Sequence, residues 1–326
     1  MKKIALITGI SGQDGAYLAK LLLSKNYTVV GADRRSARDD KWRLRKLGVE
    51  NKIIIEDFEL SEITQIIRIF NKYKISEVYN LAAQSFVGSS FLNPISTSDV
   101  TGLGVLRILE VIRNLKHKPK FYQASSSEMF GDVLETPQTI KTPFNPVSPY
   151  AISKLFAHYT TINYRKAYNL FTVSGICFNH ESPLRGEDFI TRKITTGLSK
   201  IKAGILDCLE VGNIDAKRDW GFAGDFVEAM YQMVQQKEPD DYVICTGVQH
   251  SIRELLTHAF ETAGISDWEQ YIESDPRFKR PAEVHALHGS YAKAKEKLGW
   301  EPKTSFKDMV VSMVNEDIKR LSNDLR

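Results

Sequence analysis

Seven residues near the amino end, Gly9-Ile-Ser-Gly-Gln-Asp-Gly15, narrow the choice of folds more than any other stretch. The run before them, Lys3 to Thr8, is apolar without alternation, as in a strand buried on both faces. After them Tyr17, Leu18, Leu21 and Leu22 recur at helical spacing. Strand, glycine turn and helix form the opening of a dinucleotide-binding unit. Gly9 makes the tight turn, Gly12 lets backbone N–H groups approach a pyrophosphate, and the helix N-terminus adds its positive end. Gly9, Ser11, Gly12, Gln13, Asp14 and Gly15 are therefore expected around the cofactor.

The same alternation continues along the chain. Strand-like runs at Thr28–Ala32, Lys52–Glu56, Glu77–Leu81, Lys120–Ala124 and Phe171–Phe178 are separated by helical patterns such as Ile63 to Phe70 and Val100 to Asn114. This predicts an α/β protein: a Rossmann-type, doubly wound parallel sheet with a smaller, mixed α/β substrate domain at the carboxyl end. Residues 1–178 with about 217–247 are expected to form the cofactor domain, and about 179–216 with 248–326 the substrate domain. The tail reads as helices at Ile252 to Ala263 and Ala292 to Leu298.

In such folds the end of the second strand reads the adenosine ribose. Here it is Asp33-Arg34-Arg35-Ser36. A carboxylate alone accepts bonds from a ribose 2′-hydroxyl, whereas two guanidinium forks match a 2′-phosphate. Arg34 and Arg35 thus favour NADP; the plainer reading is a basic surface loop running on through Arg38, Lys41, Arg43 and Arg45. After the third strand, Asp57 and the pair Glu59-Leu60 lie near the adenine position, with the facing carboxylate left open. Leu81, Ala82, Ala83, Gln84 and Ser85 follow the fourth strand, where small residues allow close approach of a ligand.

Composition excludes several classes. The chain has 326 residues, 42% hydrophobic and 26% charged, and its net charge of +4 is spread along its length, so nucleic acid is not expected as a partner. Cys177, Cys208 and Cys245 fit neither a disulfide framework nor a metal site. No apolar run approaches the roughly 20 residues of a membrane span. The amino terminus passes straight into a strand and leaves no room for a signal peptide, so a cytoplasmic protein is expected.

The chemistry centres on Ser148-Pro-Tyr-Ala-Ile-Ser-Lys154. Ser148 suits an N-cap and Pro149 a first helical position. Tyr150 and Lys154 then share a helix face, and a nearby cation favours the phenolate, so the tyrosine is expected to act as a base near neutral pH. The spacing alone is weak, since Tyr291 and Lys295 repeat it on an apparently ordinary surface helix. The stretch Ser125-Ser-Ser-Glu128 after the fifth strand places hydroxyls and a carboxylate where doubly wound sheets bind ligands; the plain alternative is a solvated turn. Thr191-Arg192-Lys193 opens a helix that could hold phosphate. Asp275-Pro-Arg-Phe-Lys-Arg-Pro-Ala-Glu283 reads as a loop that could equally close over a nucleotide.

Taken in order, Thr8–Gly15, Tyr79–Ser85, Ala124–Glu128, Asn179–Pro183, Asp215–Trp220 and Arg280–Glu283 resemble the extended short-chain dehydrogenase/reductases, and within them the GDP-mannose 4,6-dehydratase family. The resemblance implies a GDP-sugar substrate, NADP, and a homo-oligomer, a tetramer or a dimer. It gives Tyr150 the C4 hydroxyl proton, with Lys154 lowering its pKa, and gives Glu128 the C5 proton. Ser126 replaces a usual threonine beside the C4 oxygen, and Glu128 serves the departing C6 hydroxyl as well. His180 and Arg185 match cofactor contacts. Asn179, Arg192, Lys193, Arg218, Arg280 and Glu283 match contacts to GDP, with Ser85 lining the sugar site. The implied reaction converts GDP-mannose to GDP-4-keto-6-deoxy-mannose. Val147, where arginine is common, and Ser126 leave room for GDP-D-glycero-D-manno-heptose as an alternative. A nucleotide-sugar reductase or epimerase, or a non-catalytic NADP-sensing module, are the remaining readings.

Overall fold

The computed structural model describes residues 2–37, 40–274 and 287–324. Seven strands form one parallel sheet: β1 (Ile4–Thr8), β2 (Thr28–Asp33), β3 (Ile54–Asp57), β4 (Glu77–Asn80), β5 (Lys120–Ser126), β6 (Thr172–Cys177) and β7 (Asp241–Ile244). Their spatial order is β7-β6-β5-β4-β1-β2-β3. The expected doubly wound sheet is what forms. β1 pairs with β2 on one side and β4 on the other, so the winding reverses at β1 and a crevice opens beyond Thr8.

Eight helices carry the rest of the argument: α1 (Gln13–Ser24), α2 (Ile63–Lys72), α3 (Gly104–Asn114), α4 (Pro149–Tyr168), α5 (Ile190–Lys202), α6 (Ala223–Gln235), α7 (Ile252–Ala263) and α8 (Phe306–Asp324). One sheet face packs Leu18 and Leu22 of α1 with Met230 and Met233 of α6. The other packs Ile66, Ile108, Ile112, Ala157 and Tyr164 of α2, α3 and α4. A further core lies away from the sheet, where Leu198 of α5, Leu256 and Phe260 of α7, and Met309 and Met313 of α8 meet Trp220. Three short strand pairs border it, among them Asn179–Glu181 with Trp220–Phe222 and Lys217–Arg218 with His250–Ser251.

Local rules account for most boundaries. The Ser148 hydroxyl accepts the Ala151 N–H at 3.1 Å, Pro149 takes the first helical position, and α4 ends on Asn169 in the left-handed region. Three features depart from the sequence reading. The run expected as one helix from Val100 begins as a π-helical stretch, Ser98–Leu103, before α3. The expected basic loop contains a short helix, Trp42–Lys46, with Leu44 fully buried. The sequence reading assigns no helix after Leu298, yet α8 runs for 19 residues and buries Phe306, Met309, Val310, Met313 and Val314 at helical spacing.

Candidate active site

The glycine turn leaves β1 at the switch point. Gly9 has φ +69°, and a Cβ there would lie 3.0 Å from the Ala82 backbone. A Cβ on Gly15 would sit 2.4 Å from the Gly9 carbonyl oxygen, so α1 can press onto the turn only with glycine there. Gly12 is the N-cap of α1 and supplies no side-chain cap, which leaves the first N–H groups directed at the crevice. This cradle fits a dinucleotide pyrophosphate. Behind it, Gln13 bonds to the His180 carbonyl at 3.0 Å and accepts from Ser182 at 2.7 Å.

At the expected ribose end stands Asp33. Its two carboxylate oxygens accept the backbone N–H groups of Ser11 (2.9 Å) and Arg34 (2.8 Å). A pocket of about 230 Å³ beside it is bordered by Ser11, Arg34, Arg35, Lys41 and Asp57. Arg34 and Arg35 are exposed. Asp57 borders this pocket, whereas Glu59 follows it with its N–H on Gln65, and Leu60 is buried. Leu81 to Gln84 are partly exposed along the crevice, with Ser85 open to solvent at its end.

His180 and Arg185 brace the same crevice. His180 Nε2 lies 2.7 Å from the Asp14 carboxylate, and its ring stacks on Phe226. Burial works against both charges. The mutual attraction outweighs it, holding Asp14 below and His180 above their ordinary ranges. Arg185 pairs with Glu181 at 3.2 Å and lies over the Phe189 ring.

The candidate reacting groups gather where β5 ends and α4 begins. The Ser126 hydroxyl accepts the Glu128 N–H at 3.2 Å and starts the single turn Ser127–Phe130 that carries Glu128. Tyr150 is buried, and its phenol bonds with Ser126. Lys154 is buried as well; its Nζ donates to the Ala124 carbonyl at 2.7 Å and lies 5.8 Å from the centroid of the Tyr150 ring. The expectation that Lys154 brings Tyr150 toward neutral pH does not hold in this structure. Burial pushes the phenol up to about 12; the Ser126 hydroxyl offsets part of that, and the Glu128 charge adds to it. Burial also pushes the Lys154 ammonium down to about 8. Desolvation dominates both shifts because each group is removed from water.

The expected GDP contacts divide. Asn179, Lys193 and Arg218 are partly exposed, on the strand after β6, on α5 and on the strand Lys217–Arg218. Arg192 is a correction. Its side chain is fully buried, ion-paired with Asp317 of α8 at 2.8 Å and bonded to the carbonyls of Pro183 and Arg185 at 2.8 Å each. These bonds tie the Pro183–Arg185 segment to α8 and leave the guanidinium closed to a ligand. Arg280 and Glu283 lie outside the described residues.

A polar chain escaped the sequence reading. Thr8 donates to Asn80 (2.7 Å), Asn80 to Gln123 (2.9 Å), and Gln123 to the Ala124 carbonyl (3.0 Å) that also receives Lys154. Thr8 further accepts the N–H groups of Leu81 and Ala82 at 3.1 Å. All three side chains are buried, so the chain runs from the glycine turn to the lysine without water. Its sequence signal is slight: one polar residue late in each of the runs Lys3–Thr8, Glu77–Leu81 and Lys120–Ala124.

Comparison with known proteins gives the following. A family model described as GDP-mannose 4,6 dehydratase matches residues 6–313. GDP-mannose 4,6 dehydratase 1 of Arabidopsis thaliana is 49% identical over 98% of this chain and 90% of its own length. GDP-mannose 4,6-dehydratase of Vibrio cholerae is 45% identical over 98% of this chain and 95% of its own. Among solved structures, a dTDP-glucose 4,6-dehydratase of Bacillus anthracis in complex with NAD superposes with a TM-score of 0.85 at 20% identity, covering 99% of this chain and 100% of that one. At that identity the likeness speaks for the fold.

Proposed function

This chain belongs to the GDP-mannose 4,6 dehydratase family, and from that premise we propose that it converts GDP-mannose to GDP-4-keto-6-deoxy-mannose with NADP as its hydride carrier. The observation that carries the reading is the meeting of Ser126, Glu128 and Tyr150 at the end of β5, beside the dinucleotide cradle. Redox chemistry at a hydroxyl needs Tyr150; elimination needs a carboxylate as well, and Glu128 supplies it. The heptose alternative is set aside, because the full-length relatives are named for GDP-mannose.

When bound, the nicotinamide supplies the sink for the C4 hydride and its source for C6, and its oxidised, cationic form favours the Tyr150 phenolate. The chain's own residues move the protons. Tyr150 takes the C4 hydroxyl proton, with Ser126 donating to the C4 oxygen. The resulting ketone acidifies C5–H, and Glu128 removes that proton. Glu128 then delivers it to the departing C6 hydroxyl, so water leaves across C5 and C6; as hydride returns to C6, C5 takes up a proton, which balances the one Tyr150 took from the C4 hydroxyl. Lys154 keeps its ammonium beside the phenol through the Ala124 carbonyl. Asn179, Lys193 and Arg218 receive the GDP moiety, and the resemblance alone adds Arg280 and Glu283 to them. Residues beyond β6, apart from α6 and β7, form the substrate half around the third core.

NADP rather than NAD is favoured by Asp33, whose two oxygens are already occupied by backbone N–H groups, and by the two exposed arginines on the same pocket. Replacing both with Arg34→Ala/Arg35→Ala should weaken NADP binding roughly 10–100-fold by calorimetry, the scale of one lost charge-assisted contact. NAD affinity should not fall. A homo-oligomer is supported by the exposed Ile152, Phe156 and Tyr159 of α4, which border an apolar groove of about 540 Å³.

The direct test is incubation of the protein with GDP-mannose and mass analysis of the sugar nucleotide. Loss of one water is expected; an unchanged sugar would remove the proposal. Glu128→Gln should lower product formation roughly 10²–10⁴-fold while NADP stays bound.

A further inference from the structure

Helix α4 holds the end of β5 at three consecutive residues. Lys154 Nζ donates to the Ala124 carbonyl, and the Tyr150 phenol bonds with the Ser126 hydroxyl. Between them, His158 Nδ1 lies 3.1 Å from Ser125 Oγ. Tyr150, Lys154 and His158 follow one another at four-residue steps, on the helix face turned toward the strand. The first two have roles in the reaction proposed above; the third has none.

His158 is 3% exposed and Ser125 is 4% exposed. The imidazole packs edge-on against Phe144, with centroids 5.3 Å apart, and against Tyr159 at 5.8 Å. Burial holds it below its ordinary pKa, so the ring is neutral. In the tautomer with hydrogen on Nε2, Nδ1 accepts the Ser125 hydroxyl.

We propose that His158 is a positioning residue for the dehydration, setting the orientation of Ser126 and Glu128 against Tyr150 by holding Ser125. This rests on the reaction proposed above. Ser125 and Ser126 share one peptide at the end of β5, so a pinned Ser125 hydroxyl fixes the direction in which the backbone carries Ser126 away. Ser126 in turn caps the turn that carries Glu128. A shift of the Ser125–Ser126 peptide therefore moves the C4-oxygen donor and the C5 base together. An apolar pair at these two positions would fill the same space without any directional hold.

Three substitutions test it. His158→Leu should lower kcat for water loss from GDP-mannose roughly 10–100-fold, the scale of a misplacement approaching 1 Å. KM and NADP affinity should stay within about twofold, since ground-state binding is untouched. His158→Asn, whose amide can meet Ser125 from the Nδ1 position, should recover most of the loss. Ser125→Ala should reproduce His158→Leu, and the double variant should be no worse than either. A merely structural role predicts a lower denaturation midpoint with wild-type kcat per folded molecule. That result, a loss Asn does not recover, or additive effects in the double variant would overturn the inference. If His158→Leu does not fold, Ser125→Ala, which removes one atom, decides by the same kcat readout. Wild-type protein without turnover overturns the proposed function and this inference with it; active wild type with indifferent variants overturns this inference alone.

Discussion

Tyr150–Lys154 and Tyr291–Lys295 have the same four-residue spacing. The first pair is 8% and 4% exposed, at the carboxyl end of the sheet and next to Ser126 and Glu128. In the second pair, Tyr291 stands just before the short helix Ala292–Leu298 and meets Trp300 edge-on. Lys295 has a side chain 61% exposed and reaches Glu301 at 2.5 Å. The two ammonium groups shift in opposite directions: burial lowers Lys154, whereas the bond to Glu301 raises Lys295. An i,i+4 spacing thus brings two side chains to one side, and what surrounds them determines whether they can exchange a proton at useful cost.

The comparison is tested most sharply by removing the two phenols. Tyr150→Phe should lower kcat roughly 10²–10⁴-fold, the usual contribution of a positioned acid or base. Tyr291→Phe should leave kcat at the wild-type value in the same steady-state assay. Equal losses in the two variants would erase the distinction drawn here.

A smaller effect concerns stability. The folded Lys154 titrates at about 8 against an ordinary 10.5. Between those values the unfolded chain binds more protons than the folded one. Wild-type stability from this group therefore rises with pH across that window, by about 3 kcal/mol at most. Lys154→Met should abolish that rise. Urea denaturation of both proteins at several pH values measures it as a difference, in which the buried tyrosines cancel. A constant difference from pH 7 to 11 would show that the lysine is not desolvated. The smallest effect belongs to Lys295→Met. An exposed ion pair of this kind should give no measurable change in denaturation midpoint, and none that depends on salt.

Much of this architecture was legible in the residues. The apolar run before Gly9 and the glycine spacing specify the crevice, and Ser148-Pro149 specifies where α4 starts, which in turn orients Tyr150. Helix α8 was also legible: Phe306, Met309, Val310, Met313 and Val314 keep a helical period that the reading overlooked. Arg192 was not legible. Beside Thr191 and Lys193 at a helix start it reads as a phosphate ligand, and only Asp317, 125 residues away, makes it a buried tie. The same holds for the polar chain under Lys154, whose members are 72 and 43 residues apart. His158 reads as one more polar residue on a long helix until Ser125 is seen beside it.

By itself the sequence determined the winding of the sheet, the dinucleotide cradle and the placing of a tyrosine, a lysine and a carboxylate along the chain. These follow from local periodicity, steric demands of glycine and helix capping, all of which act within a few residues. Tertiary structure alone decided which basic side chains are buried, that Asp33 is already occupied by backbone N–H groups, and that Tyr150 and Lys154 are shifted chiefly by burial. Those outcomes depend on desolvation and on partners from distant strands and helices, and neither exists until the sheet and its helices have closed around the site.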